Sequence, residues 1–118
     1  MMIKERQKML LIFIDEADQW NGQNLYGAIV QVLRVNGIAG ATVFPAMMGF
    51  GVHRRIHRKG LFGIPDEKPL TILAIDTAAN FKAVLPSIHA MIGEGLMAIA
   101  DVDVIPGRVN HVPEPGSE

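Results

Sequence analysis

The 118-residue chain predicts an α+β domain, an antiparallel four-stranded sheet with two helices on one face in the order βαββαβ. Three observations predict it. Residues 9–14 form a short, continuous apolar run and 70–75 one broken only by Thr71, both with β-branched side chains, the pattern of buried strands. Each run ends in an acidic pair or an Asp-Thr pair, then passes into apolar residues at helical spacing. Each helical stretch then meets a glycine and a further strand, so the chain states one plan twice. A duplicated βαβ plan of this kind is the signature of the ferredoxin-like sandwich.

Taken in order, the first strand closes at Asp15-Glu16. Residues 18–24 are polar, and Asn21-Gly22 marks a turn. Leu25, Tyr26, Ile29, Val30, Val32 and Leu33 recur at helical spacing, with Asn36-Gly37 suited to a helix C-terminus. The second strand is expected over 40–52, followed by a connection at 61–68 rich in Gly, Pro and Asp. Pro69 opens the third strand. Asp76-Thr77 can cap the second helix by accepting from its first free amides, and Phe81, Val84, Leu85, Ile88, Met91 and Ile92 form that helix's buried stripe. Pro86 falls inside the stripe and is expected to cost a hydrogen bond or kink the helix. Gly93 and Gly95 end it. In the fourth strand, 96–105, Leu96, Ala98, Ala100, Val102 and Val104 share one face, and Met97, Ile99, Asp101, Asp103 and Ile105 the other. The domain is expected to span 1–106, with 107–118 as a flexible tail.

Composition narrows the function classes. There is no cysteine, which excludes disulfides and thiolate metal sites. The apolar run at 9–14 is far shorter than the roughly 20 residues of a membrane helix, so the expectation is a soluble, cytoplasmic protein. Charged residues are 19% of the chain, against about 25% in typical domains, and mean hydropathy is positive at +0.24. So much apolar surface on a small body predicts a homo-oligomer. The sheet face opposite the helices is the natural surface for a second copy to cover. Residues 53–59 hold four of the 11 Lys and Arg and two His without an acid, whereas the remainder carries 7 Lys and Arg against 12 acids. That asymmetry suits local anion capture rather than a surface that wraps nucleic acid.

The candidate site lies in the second strand and just beyond it. Gly37-Ile38-Ala39-Gly40-Ala41-Thr42-Val43 runs to Gly49-Phe50-Gly51 and then to His53, Arg54, Arg55, His57 and Arg58. The two glycines permit a sharp turn or close approach of a ligand; the alternative is a bulge with Phe50 packed inward. Thr42 alone reads as an ordinary strand residue. Arginine binds phosphate bidentately, so Arg54, Arg55 and Arg58 point to a small phosphate-bearing ligand, although such a segment can also be a solvated loop. His53 and His57 sit among four cations and make a poor divalent-metal site. His89 and His111 are too scattered to assign. Asp15, Glu16 and Asp76 lie at strand ends, where carboxylates cap helices or face water. Ser87 and Ser117 are the only serines, and no nucleophile context surrounds them, so the chain reads as a non-enzyme.

The block Gly37-x-x-Gly40-Ala41-Thr42-Val43 with Gly49-Phe50-Gly51, supported by Glu16-Ala17-Asp18, Gly22, Leu25-Tyr26, Ile56-His57 and Pro69, resembles a bacterial and archaeal family of unknown function with a PII-like fold. The resemblance covers roughly residues 9–105. It implies a homotrimer with ligand clefts between subunits. The wider PII signal-transduction proteins bind adenine nucleotides in those clefts and contact partners through the loop between the second and third strands, here about 51–68. By motif, Thr42 and Gly49-Phe50-Gly51 match positions that line the nucleotide cleft. The implied ligand is AMP, ADP or ATP, with no cofactor required, and the implied partner is a membrane transporter or an enzyme. Two departures separate the chain from PII proteins proper. The spacing from Thr42 to the glycine turn is one residue longer, which fits the uncharacterised family, and Gly93-Glu94-Gly95 leads directly into Leu96 without the lysine-bearing loop that PII proteins use to hold the nucleotide's phosphates.

Two other readings stand beside this one. Ferredoxin-like sheets also serve as nucleic-acid-binding modules, but five Phe and one Tyr do not supply the expected aromatic stacking motif on any strand. The other is a structural homo-oligomer without a small ligand.

Overall fold

Strand alternation decides what each side chain meets, and the computed structural model describes the result for residues 5–51 and 68–107. The elements are β1 (Glu5–Asp15), β2 (Gln19–Trp20), β3 (Gln23–Asn24), α1 (Leu25–Val35), β4 (Ala41–Pro45), β5 (Pro69–Asp76), α2 (Ala78–Met91) and β6 (Leu96–Val104). The main sheet has the order β4-β5-β1-β6, and every neighbouring pair is antiparallel. This is the ferredoxin-like arrangement the duplicated plan predicts. The expected tail beyond 107 and the connection over 52–67 lie outside the described residues.

On one sheet face, the even-numbered residues of the two central strands form the core. Leu10, Ile12 and Ile14 of β1 stand opposite Ala74, Ile72 and Leu70 of β5, and all six are buried. The helices cover them because their apolar residues fall on single stripes: Leu25, Ala28, Ile29 and Leu33 on α1, and Phe81, Val84, Ile88 and Met91 on α2. Ile12, Ile72, Ile29, Ile88 and Phe81 lose all their exposure. A fully buried side chain of this size contributes about 2 kcal/mol or more.

The helix ends follow from specific residues. Gly37, at φ +81°, adopts the left-handed conformation that ends α1. Its N–H donates to Arg34 O at 3.2 Å and the Ile38 N–H to Leu33 O at 3.0 Å, the two bonds of a Schellman motif. Thr77 caps α2, its Oγ1 accepting from the Asn80 N–H at 3.2 Å. Pro86 does not interrupt α2. It is exposed, on the side where water can satisfy the carbonyl that it leaves without a donor.

Two elements differ from expectation. The polar stretch 18–24 contains the β2–β3 hairpin, turned by Asn21 and Gly22 at φ 48° and 80°, the positive pair that a two-residue hairpin favours. The second strand stops at Pro45 instead of reaching 52. Pro45 has no N–H for the ladder, and after the Ala46 N–H reaches Pro69 O at 2.9 Å the chain leaves the sheet.

Candidate functional site

The odd-numbered residues of β1 and β5 fall on the face away from the helices. There Thr42, Leu73, Leu11 and Ala98 make one cross-sheet row, and Phe44, Thr71, Phe13 and Leu96 make the next. Neither helix covers these rows, and Phe44 and Leu96 remain 49% and 45% exposed. The predicted ligand residues that the structure describes all stand on or beside this apolar face.

Thr42 is exposed near the start of β4, in a cleft of about 430 Å3 walled by Ala39, Gly40, Leu73 and Ile75. The wall is set from behind. Asp76, 7% exposed, accepts through Oδ2 from the Ala39 N–H at 2.9 Å, and through Oδ1 from the Thr77 N–H at 2.6 Å and the Asn80 amide at 2.8 Å. Burial pulls this carboxyl upward, but the bonds from Thr77, Ala39 and Asn80 outweigh it and hold the group below its ordinary value.

The glycine turn sits elsewhere on the same face. Gly51 has φ +100°, in the left-handed region that favours glycine. A Cβ on Gly49 would lie 3.2 Å from Pro69 Cγ, so this glycine lets the turn close onto β5. Phe50 is 89% exposed, which overturns the alternative of a bulge with Phe50 packed inward. With Gly51, Phe13 and Leu96 it lines a hollow of about 220 Å3. Asp15, 3% exposed, sets the base of the turn by accepting from the Lys68 N–H at 2.9 Å and the Ala17 N–H at 2.8 Å.

Thr42 and the turn are therefore not brought together within one copy. Thr42 lies on edge strand β4, and the hollow lies over β1 and β6, at least two strand spacings or roughly 10 Å away. His53, Arg54, Arg55 and Arg58 lie outside the described residues. Among the described residues no group of three His, Asp or Glu could hold a metal ion, and no helix is long and apolar enough to cross a membrane. The ion pairs Arg6–Asp103, at 2.8 Å, and Lys8–Asp101 bridge β1 and β6 on the helix side. The hydrogen bond to Asp103 holds the Arg6 guanidinium above its ordinary value, and the one from Lys8 holds Asp101 below its own. Neither pair faces the cleft or the hollow.

Asp76 does bind the start of α2, as a helix-end carboxylate is expected to, but neither it nor Asp15 faces water: both are buried and hold distant backbone. The available signal was their equivalent position, each closing the first strand of one half of the repeated plan.

Comparison with known proteins agrees with this geometry. Residues 7–104 match the family model DUF190, described as Uncharacterized ACR. A UPF0166 protein of Methanocaldococcus jannaschii is 33% identical over 104 residues, 87% of this chain and 95% of the relative. The structure of CPII from Thiomonas intermedia K12 bound to ADP, AMP and acetate superposes with a TM-score of 0.62 at 16% identity, covering 86% of this chain and 90% of CPII. CPII, a nitrogen regulatory PII-like protein, bound to ADP, AMP and bicarbonate gives 0.60 at 19% identity, over 85% and 96% of the two chains. The βαββαβ sheet with its bare apolar face is thus a PII-like fold, and the chain belongs to the DUF190 (UPF0166) family.

Proposed function

We infer that this chain is a PII-like regulatory protein that binds an adenine nucleotide, or a related phosphate metabolite, in clefts between the copies of a homotrimer. One observation carries the reading: two ligand-suited half-sites share one uncovered apolar face, yet stand roughly 10 Å apart in a single copy. Packing copies through that face buries the apolar rows and sets the Thr42 cleft of one copy against the Gly49–Gly51 turn of the next. The cations at Arg54, Arg55 and Arg58 follow the turn directly in sequence and neutralise the ligand's phosphates. The binding of ADP and AMP by CPII, of the same fold, supports the nucleotide class.

The action is a signal rather than a reaction. Ligand charge, met by the basic segment, favours one arrangement of the 51–68 connection, and a cytoplasmic protein partner, a transporter or an enzyme, responds to that arrangement. Because a ligand that prefers the folded assembly raises its melting temperature by mass action, the test is a thermal-shift series with AMP, ADP, ATP, inorganic phosphate and bicarbonate. A shift with adenine nucleotides that disappears in Arg54→Ala/Arg55→Ala is the expected result. No shift with any of them, together with tight binding of single-stranded oligonucleotides, would move the function to nucleic acid.

A further inference from the structure

The two half-sites rest on two different buried carboxylates, and each carboxylate holds backbone that arrives from far away in sequence. Asp76, at the end of β5, grips the Ala39 N–H across 37 residues. Ala39 and Gly40 are the wall beside Thr42. Asp15, at the end of β1, grips the Lys68 N–H across 53 residues. The Lys68 carbonyl in turn accepts from the Glu16 N–H at 2.9 Å, and Pro69, next in the chain, is the surface on which Gly49 closes. Among the described residues neither carboxylate has a cationic partner. Apart from the side chains of Asn80 and Thr77 on Asp76, their donors are backbone N–H groups, so what each one chiefly fixes is the position of main chain.

We propose that Asp76 and Asp15 are the positioning residues of the ligand site, Asp76 for the Thr42 wall of one copy and Asp15 for the base of the glycine turn in the adjacent copy. This rests on the inter-copy cleft described above. A site assembled from two copies keeps its shape only if each wall is held rigidly on its own copy, within about half an ångström of the productive geometry. Side chains along a bare strand edge do not provide that. A buried carboxylate does, because its two oxygens accept several amides at once, whereas asparagine would turn an NH2 toward an N–H and lose one of those bonds without changing volume.

The experiment uses full-length Asp76→Asn and Asp15→Asn, with ADP binding by calorimetry and assembly by light scattering. Each variant is expected to remain trimeric, to melt a few degrees lower, and to bind ADP about tenfold more weakly or worse, the equivalent of one charge-assisted hydrogen bond. The two variants are then mixed and allowed to exchange subunits. A cleft formed by the Thr42 half of an Asp15→Asn copy and the turn half of an Asp76→Asn copy contains neither substitution. Mixed trimers are therefore expected to regain wild-type affinity at one cleft each, a recovery that general destabilisation would not produce. Unchanged ADP binding in folded variants, or no recovery on mixing, overturns the positioning roles and leaves the nucleotide reading intact. Failure of the wild-type trimer to bind ADP removes the nucleotide reading, and the positioning roles with it. If Asp76→Asn does not assemble, Asn80→Ala removes a single donor from the same carboxylate and is expected to weaken ADP binding in the same direction, by less; normal binding in that variant counts against the Asp76 role.

Discussion

Gly95 is the described glycine with the least room for a side chain. A Cβ there would stand 2.3 Å from the Phe13 carbonyl oxygen and 2.8 Å from Ile14 Cγ2. Neither neighbour yields easily: the first is backbone in a central strand, and the second belongs to a fully buried side chain. Gly95→Ala is therefore expected to destabilise the fold by about 3 kcal/mol, at the upper end for overpacking, measured as a lower urea midpoint. A substitution at Gly93, where an added Cβ meets nothing within 4 Å, serves as the control. The sequence placed Gly95 at a helix end and gave it the role of a stop. Its actual constraint is close packing against a strand more than 80 positions earlier, which no local pattern contains.

The two buried carboxylates act on the connections between elements. The Schellman turn at Gly37 ends α1 and delivers Ile38 to the core; the Ala39 N–H then meets Asp76, which also binds the first turn of α2. One carboxylate thus joins the α1–β4 connection to the start of the second helix, and its charge makes the joint sensitive to acid. Its hydrogen bonds place the folded pKa below that of the unfolded chain, so the stabilisation is fully present above the unfolded value and is lost as pH falls through the folded one. Wild type is expected to exceed Asp76→Asn by about 2 kcal/mol near neutrality, the range for a hydrogen bond to a charged group. That gap should narrow below the usual carboxylate range and close in stronger acid. Urea unfolding of both proteins across that span is the check; a gap that stayed constant with pH would assign the loss to packing rather than to charge.

For the molecule as a whole, the uncovered face is the surface through which the proposed trimer packs. Leu11 and Leu73 lie at the middle of its apolar rows, flanked by Phe13, Phe44, Ile75 and Leu96. Putting a charge at the centre of a buried interface leaves it unpaired, at a cost of several kcal/mol for each copy. In the free subunit the same position is only half-buried. Leu11→Asp is accordingly expected to give a folded monomer, with helical circular dichroism retained and mass by light scattering reduced to that of one chain. On the inter-copy cleft proposed above, it should also lose nucleotide binding. A variant still trimeric would show that the copies meet elsewhere.

The sequence by itself determined the order of the main-sheet strands and the two helices, the helical stripes, the Gly37 stop, the Thr77 cap and the alternation of β6, because each depends on neighbours within a few residues. The repeated plan was enough to specify the ferredoxin-like topology, and the Gly-x-x-Gly-Ala-Thr-Val block with Gly-Phe-Gly was enough to point to the family. Only the tertiary structure decided that Thr42 and the glycine turn stand apart on one face. It also decided that Phe50 turns outward, and that Asp15 and Asp76 hold backbone 53 and 37 residues away. The reason is physical. A carboxylate at a strand end has the same local sequence whether it faces water or a distant amide, and strand register, set by the whole core, is what brings the amide to it.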